Sequence, residues 1–143
     1  MSLLLKYSYV SWLKKYDWSL FCTLTFRHVR SVKSGHRLFC GWIASIEACE
    51  GATLSWIRMA EYGRLDNRLH FHVLIAGAHR ISVETAEALW GKMAGMALVR
   101  EYDSTQRGLE YTLKSIEDGP DYMLEIGIVK GEHLRQRQKP RPR

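Results

Sequence analysis

No apolar run in this 143-residue sequence approaches the roughly 18 residues that cross a bilayer as a helix. The early Leu3-Leu4-Leu5 stretch is broken at once by Lys6 and Tyr7, which makes it a poor signal peptide. No membrane role is therefore expected. Cysteine is scarce: Cys22, Cys40 and Cys49 form no CxxC pair, and an odd number cannot all pair internally. Their expected state is reduced core thiols in a cytoplasmic protein. There is no internal repeat and no low-complexity linker before the end segment. No Gly-rich phosphate loop or Walker motif occurs, so nothing points to nucleotide hydrolysis.

What is present in excess is positive charge. The formal net charge is +6, which favours a polyanionic partner. Much of it sits in the segment from Lys130 to Arg143, which ends Arg-Gln-Arg-Gln-Lys-Pro-Arg-Pro-Arg. That segment has little to bury, so residues 130–143 are expected to form a disordered basic tail behind one domain, 1–129. It would add salt-sensitive, sequence-independent affinity for phosphates. A solvated terminus, or the stump of a longer protein, has the same composition.

The hydrophobic pattern divides residues 1–129 into a short series of elements. Residues 4–15 suit a helix carrying Leu5, Tyr9, Trp12 and Leu13. Residues 19–26 are rich in β-formers and read as a strand. From about Lys33 to Cys49, Leu38, Trp42, Ile43 and Ile46 recur at helical spacing, with Gly51 as the stop. Two strands follow, 54–62 and 69–76, joined by a Gly-, Asp- and Asn-containing turn that makes them a hairpin. Ser82 caps a helix to about Ala94 with Val83, Ala86, Leu89, Trp90 and Met93 as its buried stripe. A strand near 97–102, a helix from Asp103 to about Glu117 and a last strand at 122–129 complete the order. Trp12, Trp18, Trp42, Trp56 and Trp90 are expected mostly in the core. This βαββαβ order predicts an α+β, ferredoxin-like (RRM-like) fold: an antiparallel sheet of about five strands with helices packed on it.

Fold alone assigns no chemistry, and two residue patterns do. In Leu69-His70-Phe71-His72-Val73-Leu74-Ile75, strand alternation sends His70 and His72 to one face. Leu69, Phe71, Val73 and Ile75 go to the other face, into a core. If Tyr62 pairs with Leu69, Glu61 lies opposite His70 and shares its face; a shift of two would set it opposite His72. Two imidazoles and one carboxylate suit Mn²⁺ or Mg²⁺, and Zn²⁺ would also bind. An H-x-H pair is also what an unremarkable strand contains. His28, His36, His79 and His133 have no such partners and are read as structural.

The second pattern is Gly108-Leu109-Glu110-Tyr111-Thr112-Leu113-Lys114. On a helix, Leu109, Leu113 and Ile116 form an apolar stripe, and Tyr111 lies roughly opposite it, flanked by Arg107 and Lys114. A phenol with a pKa near 10 needs activation to act as a nucleophile. Neighbouring cations favour the phenolate, and Lys114 is placed to hold a phosphate oxygen. Most surface tyrosines beside lysines do no chemistry, so the pattern gains weight only beside a metal site.

Together, Phe21-Cys-Thr-Leu-Thr-Phe26, then Glu61 with His70-Phe-His72, then Tyr111-Thr-Leu-Lys114 resemble the three ordered motifs of HUH endonucleases. The nearest branch is the single-tyrosine rolling-circle replication initiators (Rep proteins). The resemblance spans about residues 20–116. It implies that His70, His72 and Glu61 bind a divalent ion, Tyr111 is the nucleophile and Lys114 assists. It further implies that Thr23, Thr25, Arg27 and Arg107 line the DNA path. Ser115-Ile116 follows Lys114 with no second tyrosine at i+4, which excludes a two-tyrosine mechanism.

The implied partner is single-stranded DNA, an origin hairpin, together with a host helicase and polymerase. The implied setting is a bacterial plasmid or phage, or a nucleus for a eukaryotic virus. Two other readings share parts of the pattern. A single-tyrosine transposase has similar motifs but usually carries Gln where Lys114 stands. A non-catalytic RRM-like module for single-stranded DNA or RNA explains charge and fold, and leaves Glu61, His70, His72 and Tyr111 without a role.

Overall fold

Burial alternates residue by residue from Trp18 to Thr25, and that period of two builds the first strand, β1 (Trp18–Thr25). In the computed structural model of the chain, which describes residues 8, 11–63, 67–103 and 124–127, six further elements follow. They are α1 (Val32–Glu50), β2 (Ser55–Tyr62), β3 (Leu69–Ala76), α2 (Val83–Met93), β4 (Ala97–Glu101) and β5 (Leu124–Ile126). Beyond Asp103 the helix expected at 103–117 lies outside the described residues, as do the tail at 130–143 and half of the segment 4–15.

The described strands form one antiparallel sheet in the order β4-β1-β3-β2-β5. β1 and β2 both run antiparallel to β3, so α1 connects two parallel strands with β3 between them. By the same reasoning α2 connects β3 to β4 across β1. These interlocked crossovers are the β-α-β-β-α-β connectivity. β5 extends the sheet beyond β2.

Local chemistry sets the helix limits. The Ser31 hydroxyl accepts from the Ser34 N–H at 3.1 Å to start α1, and Gly51 at φ 70° ends it in the left-handed conformation. Ser82 starts α2 in the same way, accepting from the Thr85 N–H at 3.1 Å. A buried carboxylate, Glu50, then ties the end of α1 to the approach of α2. Its Oε1 accepts from the Arg80 and Ile81 N–H groups at 2.8 and 2.7 Å.

An aromatic layer fills the space between sheet and helices. Phe71 meets Phe26 and Phe39 edge-on at 5.3 and 6.0 Å, Phe26 meets Trp90 at 5.3 Å, and Trp42 meets Trp90 at 5.8 Å. Burying each such ring stabilises the fold by about 1.5–3 kcal/mol. The indole N–H groups are satisfied as well: Trp90 donates to the Thr25 carbonyl at 2.8 Å, and Trp42 to the Ala86 carbonyl at 3.0 Å. Leu69, Phe71, Val73 and Ile75 all enter this core, as their alternation predicts.

Two expectations need correction. Only Cys22 is a core thiol; Cys40 and Cys49 are exposed, because they fall outside the stripe of α1 that Phe39, Trp42, Ile43 and Ile46 bury. Trp12 is exposed and packs edge-on against Tyr16 at 5.5 Å, while Trp18, Trp42 and Trp90 are buried. None of the described helices is long and apolar enough to cross a membrane.

Candidate metal centre

The hairpin register places Tyr62 opposite Leu69 and Glu61 opposite His70. On the other side of β3, Thr25 stands opposite His70 and Thr23 opposite His72. Cross-strand partners share a face, so Thr23, Thr25, His70, His72 and Glu61 all lie on the side of the sheet away from the aromatic layer. Two rows result. One runs Thr25, His70, Glu61; the next runs Leu98, Thr23, His72, Met59.

Within this array His72 meets both Glu61 and Thr23. Glu61 Oε2 is 3.0 Å from His72 Nε2. The contact is therefore diagonal, one row over from the register partner. His72 is only 6% exposed, whereas the Glu61 side chain is 46% exposed, so the pair opens toward solvent on the carboxylate side. The second imidazole nitrogen, Nδ1, is 3.4 Å from Thr23 Oγ1. Burial holds the His72 imidazole below its ordinary pKa; the Glu61 charge and hydrogen bond oppose that, and His70 adds to the lowering. A neutral imidazole keeps a lone pair, which is the form a cation needs.

His70 is half-buried on the same face. Among the described residues, no group of three or more His, Cys, Asp or Glu side chains is gathered closely enough to hold a metal ion. The donor chemistry nevertheless fits a divalent cation. One carboxylate and one neutral imidazole are adjacent, and a second imidazole occupies the register position opposite that carboxylate.

The remaining expected residues fall in three groups. Thr25 Oγ1 donates to the Met96 carbonyl at 3.1 Å, which fixes the end of β1 to the entry of β4. Arg27 Nη1 donates to the Gly91 carbonyl at 2.6 Å, in the last turn of α2, where a cation complements the helix dipole. Tyr111, Lys114 and Arg107 lie outside the described residues.

Sequence reading missed a feature on the opposite face. Arg58 is fully buried beneath α1, with its guanidinium carbon 4.3, 4.9 and 5.7 Å from the centroids of Phe71, Phe39 and Trp56. Its Nη1 donates to His36 Nδ1 at 2.8 Å, and His36 Nε2 is 3.3 Å from Cys40 Sγ. The available signal was the period of two in β2, which puts Arg58 between Trp56 and Ala60 on the core face.

No family model matches the chain, and no curated protein matches it. Among solved structures, it is similar to the hypothetical protein ORF119 from Sulfolobus islandicus rod-shaped virus 1, with a TM-score of 0.52 and 15% identity. The likeness covers 80% of this chain and 96% of that one. At such identity it establishes a shared fold: an α+β protein with helices packed on an antiparallel sheet.

Proposed function

We propose that this chain is a metal-dependent HUH endonuclease that nicks and rejoins single-stranded DNA, in the manner of a single-tyrosine replication initiator. The observation that carries the reading is the joining of Glu61 to His72 on the sheet face away from the aromatic layer, with His70 opposite Glu61 in register. Glu61, His70 and His72 would hold Mn²⁺ or Mg²⁺. Bound there, the cation supplies polarisation of the non-bridging oxygens of the scissile phosphate.

The chain's own residues do the rest. The Tyr111 phenolate attacks phosphorus in line; a bond from phosphorus to the phenolic oxygen forms as the bond to the 3′-oxygen breaks. The departing oxygen takes a proton and becomes a free 3′-hydroxyl, while the 5′-phosphate remains on Tyr111. Lys114 favours the phenolate and holds a phosphate oxygen. Because one ester replaces another, a later 3′-hydroxyl can reverse the step and join strands. The roles of Tyr111 and Lys114 rest on their sequence motif.

The test is to incubate the protein with Mn²⁺ and labelled single-stranded hairpin oligonucleotides of varied sequence, then look for an SDS-resistant adduct. The expected result is an adduct that Tyr111→Phe abolishes and that EDTA or His72→Ala suppresses. Gel shifts with no adduct from any oligonucleotide would instead favour the binding module. A joining reaction that requires transposon ends rather than an origin hairpin would favour the transposase.

A further inference from the structure

We infer that Thr23 is a positioning residue that holds the His72 ring in both of the proton arrangements its role demands. The inference rests on the proposed assignment of His72 as a cation ligand. It assigns Thr23 a task distinct from the DNA contact its motif suggests.

The geometry restrains both ring nitrogens of His72. Nε2 lies 3.0 Å from Glu61 Oε2, and Nδ1 lies 3.4 Å from Thr23 Oγ1. A carboxylate only accepts hydrogen bonds, so a neutral imidazole against Glu61 carries its proton on Nε2. Nδ1 then has a lone pair, and the Thr23 hydroxyl donates to it. When a cation takes the Nε2 lone pair, the proton must sit on Nδ1 instead. The partner at Nδ1 must then accept.

A backbone carbonyl or a carboxylate at this position would favour only the second arrangement, and an N–H group only the first. A hydroxyl serves both, because it is donor and acceptor at once. Its placement is set by the sheet: Thr23 is the direct cross-strand partner of His72, on the same face, and half-buried. Restraint at the far nitrogen of a ligating histidine orients the ring and raises its basicity.

The test compares Thr23→Val, which keeps the branched shape and strand preference but has no hydroxyl, with Thr23→Ser, which keeps the hydroxyl. Two measurements are made on each: ¹⁵N ring shifts of His72 in the metal-free protein, and Mn²⁺ affinity by calorimetry. In wild type and Thr23→Ser the metal-free ring is expected mainly protonated at Nε2, with similar affinities. In Thr23→Val the expected result is an Nδ1 shift moved toward that of an imidazole nitrogen with no hydrogen bond, with Nε2 still protonated, and Mn²⁺ affinity lower by about 10- to 100-fold. A Thr23→Val protein with unaltered ring shifts and full Mn²⁺ affinity overturns the inference and leaves the proposed function standing. A wild-type protein that binds no Mn²⁺ overturns the proposed function, and the cation half of this inference with it.

Discussion

Glu61 stands opposite His70 in the strand register, yet its carboxylate reaches diagonally to His72, with Oε2 3.0 Å from Nε2. The site is therefore not a simple ladder of facing pairs. Glu61 faces His70 by register and touches His72 by contact, so the carboxylate is associated with both rows of the array.

Glu61→Gln keeps the size of the side chain and removes its charge. Mn²⁺ affinity measured by calorimetry should fall at least about tenfold, roughly 1.4 kcal/mol. An affinity equal to wild type would remove Glu61 from the ligand set.

Arg58→Ala empties a long side chain from a cage of three rings. The expected loss is about 2–5 kcal/mol in urea unfolding, the range for large-to-small core changes. Arg58→Met refills the space with an adaptable apolar chain and should recover a substantial part of that loss. Equal losses from the two variants would mean that charge, not packing, governs the position.

Gly95 sits where the end of α2 passes β1, and a Cβ there would meet the Thr25 carbonyl oxygen and the Phe26 Cα. Backbone cannot swing aside as a side chain can. Gly95→Ala should therefore cost about 1–3 kcal/mol, the usual penalty of overpacking. Chemical denaturation checks this, and an unchanged midpoint would show that the two segments separate easily.

The thiols should divide in a native labelling experiment. Burial, with a lesser contribution from the Glu87 charge, pushes the Cys22 thiol far above its ordinary range, while Cys40 and Cys49 are exposed. A disulfide reagent added to folded protein should modify Cys40 and Cys49 promptly and Cys22 only after denaturation. Prompt reaction of Cys22 would show that the sheet opens under native conditions.

Much of this arrangement is legible along the chain because it depends on periods and parities. The alternation in Leu69-His70-Phe71-His72 assigns each side chain a face, and an even-length turn keeps Glu61 on the histidine face whichever of two registers forms. Capping by Ser82 and termination at Gly51 are equally local, since each depends on a few consecutive residues. These features need no knowledge of what packs above or below the strand.

Other features depend on which elements cross. The sequence by itself determined the order of the described strands and helices and the shared face of Glu61, His70 and His72, while the choice between the two hairpin registers came with the sheet. Only the tertiary structure decided that Glu61 contacts His72 rather than its facing partner, that Thr23 lies against Nδ1, and that Arg58 is enclosed by Phe39, Trp56 and Phe71. The reason is physical: periodicity fixes the direction in which a side chain leaves the backbone, while the partner it meets is set by the stacking of strands and helices far apart in sequence.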